Sequence, residues 1–371
     1  MLQVKSDTLQ MYLGAPWCLG RVEEFYPLEK NGEQFAHKIT LLDHAYVIWA
    51  DPETNEVFAF DNICPHAGAS LGDGGYLTTR TFKLPGQDDL VTKKCLACPY
   101  HGHQVQFLED GRAIIDDKAT AKPLQANLPL TVKDGLVWTY GLEWSKTNKK
   151  FEPRVIQPRL PIPDYSQLGG LEKYGNSFSL SGGDFFHVST QSRSVEANLL
   201  HFAMNVCDAQ HFAEVHKNTM LSQKVKVHDL KVEENRLSWV LELFKRPKQE
   251  TRESPYDFLI SSENRNTYFN SFLPGTTFTV YHFDLGTVID LVTLYPESLS
   301  KTQIRLTTYR NFNFPWYTKL LKAKKKVNQF RMDLISEDTN NLEKVSDNYE
   351  RKINLAHDEP VIAALKYLQN W

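Results

Sequence analysis

Two short loops constrain this chain more than any other feature: Cys64-Pro65-His66 and Cys98-Pro99-Tyr100-His101. Each offers one thiolate and one imidazole within a few residues, and in each a proline follows the cysteine. The fold has to bring the two loops face to face before the four donors can act together. Held that way, they suit a two-iron, two-sulfide cluster with both cysteines on one iron and both histidines on the other. Neutral imidazoles in place of two thiolates leave such a cluster less negative and raise its reduction potential. The same donors also suit structural zinc, and Cys95-Leu-Ala-Cys98 imitates a zinc or redox Cys-x-x-Cys. The repeated Cys-Pro pairing favours the cluster, with Cys95 outside it. Gly68, Gly72 and Gly102 flank the loops, where tight turns are needed.

Composition narrows the remaining classes. Lys and Arg total 42 against 45 Asp and Glu, a net charge of −3, which gives no electrostatic reason to expect nucleic acid or an anionic membrane. With 41% hydrophobic and 23% charged residues, the 371-residue chain reads as an ordinary globular protein with more than one core. No run of about 18 apolar residues is present, so no membrane span is expected. Five cysteines are too few for a disulfide scaffold, and Met1–Thr8 lacks a secretory pattern. A reducing, cytoplasmic location is the expectation.

Short β-rich runs fill the first part of the chain, beginning with a hairpin from Tyr46-Val-Ile-Trp-Ala50 through Asp51–Asn55 to Val57-Phe-Ala-Phe60. Residues 1–145 are read as an all-β module and the Lys- and Pro-rich stretch 146–165 as a connection. Residues 166–371 are read as an α+β domain. Within it Glu196–Phe212 and Trp316–Ile353 lack Gly and Pro and read as helices, with strand-like runs from Lys224 to Tyr309 between them. The basic run Lys319–Lys326 reads as a solvated helix face.

The first of these helices carries a second constellation: Asn205, Asp208, His211 and His216. Asp208 and His211, three apart, share a helical face. His211 and His216, five apart, are rotated by about 140° on an ideal helix, so both reach one metal only if the helix ends or bulges between them. Two imidazoles need a carboxylate to complete the 2-His-1-carboxylate set that suits non-haem Fe(II) and O2. His187, His201, His228, His282 and His357 read as ordinary core or surface histidines.

On these motifs the chain resembles the Rieske non-haem iron oxygenases. Cys64, His66, Cys98 and His101 occupy the four cluster positions, and Asn205, Asp208, His211 and His216, with Asn198 upstream, match the mononuclear iron motif. The resemblance implies a third iron ligand on a late helix, within a Glu-Asp followed by a further Glu. Glu337-Asp338-Thr-Asn-Asn-Leu-Glu343 fits, making Asp338 the ligand and Glu337 its neighbour. The chain departs from the family in three places. The segment between His66 and Cys98 is longer than usual, with Arg80–Lys94 as an insertion near 80–95. His103 stands where many relatives carry Trp, and Met204 where many carry Glu.

The fold so implied is α+β: an N-terminal all-β Rieske [2Fe-2S] domain, then an antiparallel-sheet-plus-helices catalytic domain of the aromatic-ring-hydroxylase type. The activity implied is that of a terminal oxygenase component (α subunit). Electrons from NAD(P)H arrive through a ferredoxin or a flavin/iron–sulfur reductase at the cluster, and O2 is activated at mononuclear Fe(II) beside a small-molecule substrate. By family precedent Asp208 bridges His211 to His101 of an adjacent subunit, which calls for a homotrimer. The reductase is a separate chain, because Leu71-Gly-Asp-Gly-Gly75 lacks the strand–turn–helix setting of a dinucleotide site. Monooxygenation of an apolar or aromatic molecule, by hydroxylation or demethylation, is the expected outcome. The alternatives are cis-dihydroxylation, desaturation or oxidative cyclisation. Readings from other classes are a Rieske electron carrier without oxygenase activity and a zinc-stabilised module.

Overall fold

The structure is a computed structural model. It describes residues 14–141, 143–145, 150–152, 160–165, 168–171, 180, 185–216, 222–234, 236–245, 265–273, 275–283, 286–312, 323–345 and 358–369. The chain divides into two compact units, one formed by residues 18–157 and the other by 1–17 with 158–371. Most of the connection read at 146–165 lies outside the described residues, as do His357 and residues 319–322 of the basic run.

The 18–157 unit is all β. The expected hairpin forms within a three-stranded meander of β1 (His37–Leu41), β2 (His44–Ala50) and β3 (Val57–Asp61), with Ala50 opposite Val57. A seven-stranded sheet contains β4 (Tyr76–Lys83), β5 (Leu90–Cys98) and β6 (Gly102–Phe107). Trp49, Phe60, Leu77, Leu96 and Phe107 pack into one core that also takes in Cys64 and Cys98.

The Arg80–Lys94 insertion is the outer half of the β4–β5 hairpin, paired in unbroken register from Tyr76 opposite Ala97 to Lys83 opposite Leu90. Its tip is tied down by the Arg80–Asp117 ion pair at 2.5 Å and by the Lys83 N–H donating to the Asp117 carbonyl at 2.9 Å. The lengthened hairpin closes over a second small core of Phe82, Cys95, Leu108, Ile114 and Ala119.

The 158–371 portion is built on a seven-stranded antiparallel sheet. Its strands are β7 (Phe186–Val195), β8 (Ser222–Glu233), β9 (Arg236–Lys245), β10 (Arg265–Leu273), β11 (Thr276–Phe283), β12 (Gly286–Pro296) and β13 (Thr302–Arg310). Their spatial order is β7-β13-β12-β11-β10-β9-β8. On β9 the buried residues alternate, Leu237, Trp239, Leu241 and Leu243, as a strand with one face on the core requires. Central β12 is buried almost throughout, because both of its faces are covered.

Four helices accompany this sheet among the described residues: α1 (Leu199–Cys207), α2 (His211–Glu214), α3 (Ala323–Leu342) and α4 (Glu359–Gln369). The helix expected over 196–212 is thus two pieces. Asn198 caps α1 by accepting from the His201 N–H at 3.0 Å. Asp208 ends it in extended backbone, and its Oδ1 accepts from the Gln210 N–H at 2.9 Å. That local side-chain bond competes with helical pairing and breaks the run. The helix expected over 316–353 is observed as Ala323–Leu342. No described helix is long and apolar enough to cross a membrane.

Candidate metal centres

The two Cys–His loops converge at one end of the 18–157 unit. Cys64 and Cys98 are buried in the core, whereas His66 is exposed and His101 partly so. The two imidazoles lie together, Nδ1 to Nδ1 at 3.1 Å. Gly68 (φ +73°) and Gly102 (φ +48°) take the left-handed backbone that lets the chain turn back directly after each ligand pair.

Burial pushes the Cys64 thiol up, with the Cys98 side chain adding to the effect. A cluster fits this donor set: sulfur ligands on the core side, nitrogen ligands on the solvent side where a partner can approach. Cys95 is elsewhere, in the second core. Its thiol is pushed up to about 12 by burial and faces the Thr78 carbonyl at 3.5 Å. Cys95→Ser is therefore expected to leave the visible spectrum of the purified protein unchanged, and bleaching on that substitution would move the ligand set.

The second centre rests on α1, α2 and α3. His211, His216 and Asp338 each direct one donor atom to a common region, all within 4.8 Å of one another. Asp338 Oδ1 is 3.1 Å from His216 Nε2 and 3.6 Å from His211 Nε2. The geometric problem of a five-residue spacing is solved as expected. The short helix α2 ends after Glu214, between the two histidines, and the His216 N–H donates to the His211 carbonyl five residues back, at 3.4 Å.

Each imidazole is also oriented from behind. His211 Nδ1 donates to the Asp208 main-chain carbonyl, and His216 Nδ1 donates to Glu337 Oε2 at 2.8 Å. With both Nδ1 positions bonded from behind, both Nε2 atoms face Asp338 and are the ring nitrogens a metal would take. Asn205 Nδ2 donates to Asp338 Oδ1 at 3.1 Å and fixes the carboxylate.

The electrostatics fit a cation. Burial opposes charge on His216, but Asp338 and Glu337 outweigh it and push the imidazole up to about 9. Burial also opposes charge on Asp338, yet the His216 hydrogen bond and the two histidines hold its carboxyl below the usual range. His211 is pulled down by burial despite Asp338. A divalent cation at the shared point would replace the proton on His216.

The remaining sequence-derived site residues fall as follows. Asp208 touches His211 through its main-chain oxygen, while its carboxylate bonds to Gln210. Asn205 faces Asp338, and Glu337 is a direct partner of His216, a role its sequence neighbourhood did not reveal. His187, His228 and His282 bond to Thr190, Glu242 and Thr287, away from the centre. The His103 side chain lies outside the described residues.

A β domain with two Cys–His loops, joined to a sheet-and-helix domain with a 2-His-1-carboxylate set, defines an iron-dependent oxygenase. Family comparison agrees. Residues 18–125 match the Rieske [2Fe-2S] domain and residues 195–371 the vanillate O-demethylase oxygenase C-terminal domain. The chain belongs to the Rieske non-haem iron oxygenases and is an O2-dependent oxidoreductase of that family.

Its fold is similar to that of dicamba monooxygenase bound to dicamba, with a TM-score of 0.65 at 16% identity over 97% of each chain. It is also similar to dicamba monooxygenase with non-heme iron and dicamba, with a TM-score of 0.57 at 15% identity over 97% of this chain and 96% of that one. Pseudomonas putida CBB5 NdmA QL mutant with theobromine gives 0.61 at 14%, over 98% of this chain and 91% of that one. No curated protein matches the sequence.

Proposed function

We propose that this chain is the terminal oxygenase component of a multicomponent system, taking electrons from a separate ferredoxin or flavin/iron–sulfur reductase fed by NAD(P)H. The observation that carries the reading is the convergence of His211 Nε2, His216 Nε2 and Asp338 Oδ1 in a chain that also carries a Rieske domain. Cys64, Cys98, His66 and His101 hold the [2Fe-2S] cluster, and His211, His216 and Asp338 hold Fe(II). When bound, the cluster supplies one-electron storage and the iron supplies open positions for O2. Asp208 and Glu337 orient the two imidazoles, and Asn205 orients the carboxylate. The exposed His66–His101 side offers the approach for an electron donor.

The substrate is an apolar or aromatic small molecule carrying a polar group. Supporting this, Ser189, Thr308, Asp290, Thr279 and Asn270 stand opposite one another across five strands, on the side of the sheet that meets α3. Trp239 continues that row, and the Tyr268 and Tyr281 rings flank it 5.4 Å apart. Asp290 bonds to Thr308 and Arg331, and Thr279 to Asn270, while Ser189 Oγ is buried with no hydrogen-bond partner among the described residues. The outcome is monooxygenation, tested with dicamba, vanillate and theobromine as first probes under 18O2. Each turnover is expected to release one formaldehyde carrying one labelled atom, trapped before it exchanges with water, and an unlabelled demethylated product, whereas a ring product with two labelled atoms would establish dioxygenation.

The protein works in the cytoplasm as a homotrimer, with the Asp208 carboxylate meeting His101 of the neighbouring subunit. Cys64, Cys95, Cys98 and Cys207 are buried thiols outside any disulfide, which suits a reducing compartment. A monomeric mass in solution would remove the trimer.

A further inference from the structure

Helix α3 carries two charged groups of opposite sign inward, Arg331 and Asp338. Seven residues make two helical turns to within about 20°, so both project from one face, about 10 Å apart along the axis. Asp338 belongs to the metal centre. Arg331 does not, yet it is 6% exposed, and its guanidinium reaches Asp290 on β12 and the Tyr281 hydroxyl on β11. Asp290 is braced in turn by the Thr308 hydroxyl at 2.7 Å and the Tyr281 hydroxyl at 3.1 Å. Every partner in this set is buried.

Among the described side chains of α3, the buried ones are Phe330, Arg331, Ile335, Thr339 and Leu342. Apolar packing is non-directional and discriminates poorly between neighbouring axial positions of a helix. A guanidinium fork on a fixed carboxylate is directional. Stability alone is a weak reason to keep such a pair, since apolar replacements of buried ion pairs are often neutral or stabilising, whereas specifying register is the best-attested use. A slip of one turn, about 5.4 Å, exceeds the 4.8 Å span of the three donor atoms.

We propose that Arg331 and Asp290 are positioning residues: their ion pair sets the height and rotation of α3 so that Asp338 and Glu337 meet His216 and His211, and thereby sets the affinity of the centre for a divalent metal. The inference rests on the reading of His211, His216 and Asp338 as a metal site.

The test is Co(II) titration of the full-length, cluster-loaded protein, followed by ligand-field absorption, with the EPR of the reduced cluster as an internal reference. Arg331→Met and Asp290→Asn are expected to weaken Co(II) binding by about 10- to 100-fold, the range for supporting partners of metal ligands. The cluster signal stays unchanged. Arg331→Lys keeps the charge without the fork and falls between; it also carries the test where an uncompensated charge prevents folding. The double variant Asp290→Leu/Arg331→Met removes both charges. It is expected to melt at or above the parental temperature while still binding Co(II) weakly, a separation that a purely stabilising role does not produce. Variants that melt lower but bind Co(II) with parental affinity would overturn the positioning role alone. A parental protein that takes up no Co(II) would overturn the metal-site reading and the positioning role with it.

Discussion

Asp338→Ala abolishes oxygenase turnover and leaves the cluster's visible and EPR spectra intact. Among the described residues, Asp338 is the carboxylate whose oxygen lies within reach of both the His211 and His216 Nε2 atoms. Removing it leaves two neutral donors and no negative charge to balance a divalent cation. Loss of a mere supporting partner of a ligand costs about 10- to 100-fold in affinity, so loss of this ligand costs at least that much. Iron analysis should show a deficit of one iron per chain, confined to the ferrous, non-cluster pool. Cluster iron is unaffected because its four donors lie in the other compact unit. Full turnover in Asp338→Ala would place the third ligand elsewhere.

The double substitution His66→Cys/His101→Cys lowers the potential of the cluster by at least about 250 mV. Imidazole-ligated clusters span about −150 to +300 mV, against about −400 mV for plant-type all-cysteine clusters, because two added thiolates make the cluster more negative. For a one-electron couple at about 59 mV per decade, that shift is about four decades in the reduction equilibrium. A donor that fills the native cluster then fails to fill the variant, and turnover collapses although the mononuclear site is untouched. The measurement is a redox titration followed by EPR. A variant cluster at its original potential would show that the imidazoles are not its ligands. The His66 and His101 rings, apposed at 4.5 Å on the outer side of the two buried cysteines, are the geometry behind this expectation.

What the sequence revealed of these sites follows the range of the interactions. The cluster loops were legible because each is a contiguous word and each pairs a sulfur with a nitrogen donor. His211 and His216 were legible as a pair that required the helix to end between them, which α2 does after Glu214; a further break, before His211, is where the Asp208 side chain bonds to the Gln210 N–H. The helix pattern over 196–212 concealed it, since that stretch lacks the Gly or Pro that marks most breaks. Asp338 could be located only through the family resemblance, because 122 residues separate it from His216.

The segment 80–94 was read only as an insertion between the cluster loops, with no structure assigned to it. Its regular strand pairing and its own core, including Cys95, depend on Leu108, Ile114 and Ala119 further along the chain. Arg331 and Asp290 were missed altogether. The available signal was a lone acid inside Val288-Ile-Asp-Leu-Val-Thr-Leu294, a strand otherwise nearly all apolar, which implies a buried cationic partner without naming it.

The measurement that bears most directly on the whole account is metal and acid-labile sulfide content of anaerobically purified protein, with EPR before and after dithionite reduction. The account predicts about three irons and two sulfides per chain, a Rieske-type signal on reduction, and one further ferrous iron outside the cluster. Zinc without sulfide would contradict both centres, and two irons with no ferrous third site would leave an electron carrier in place of an oxygenase.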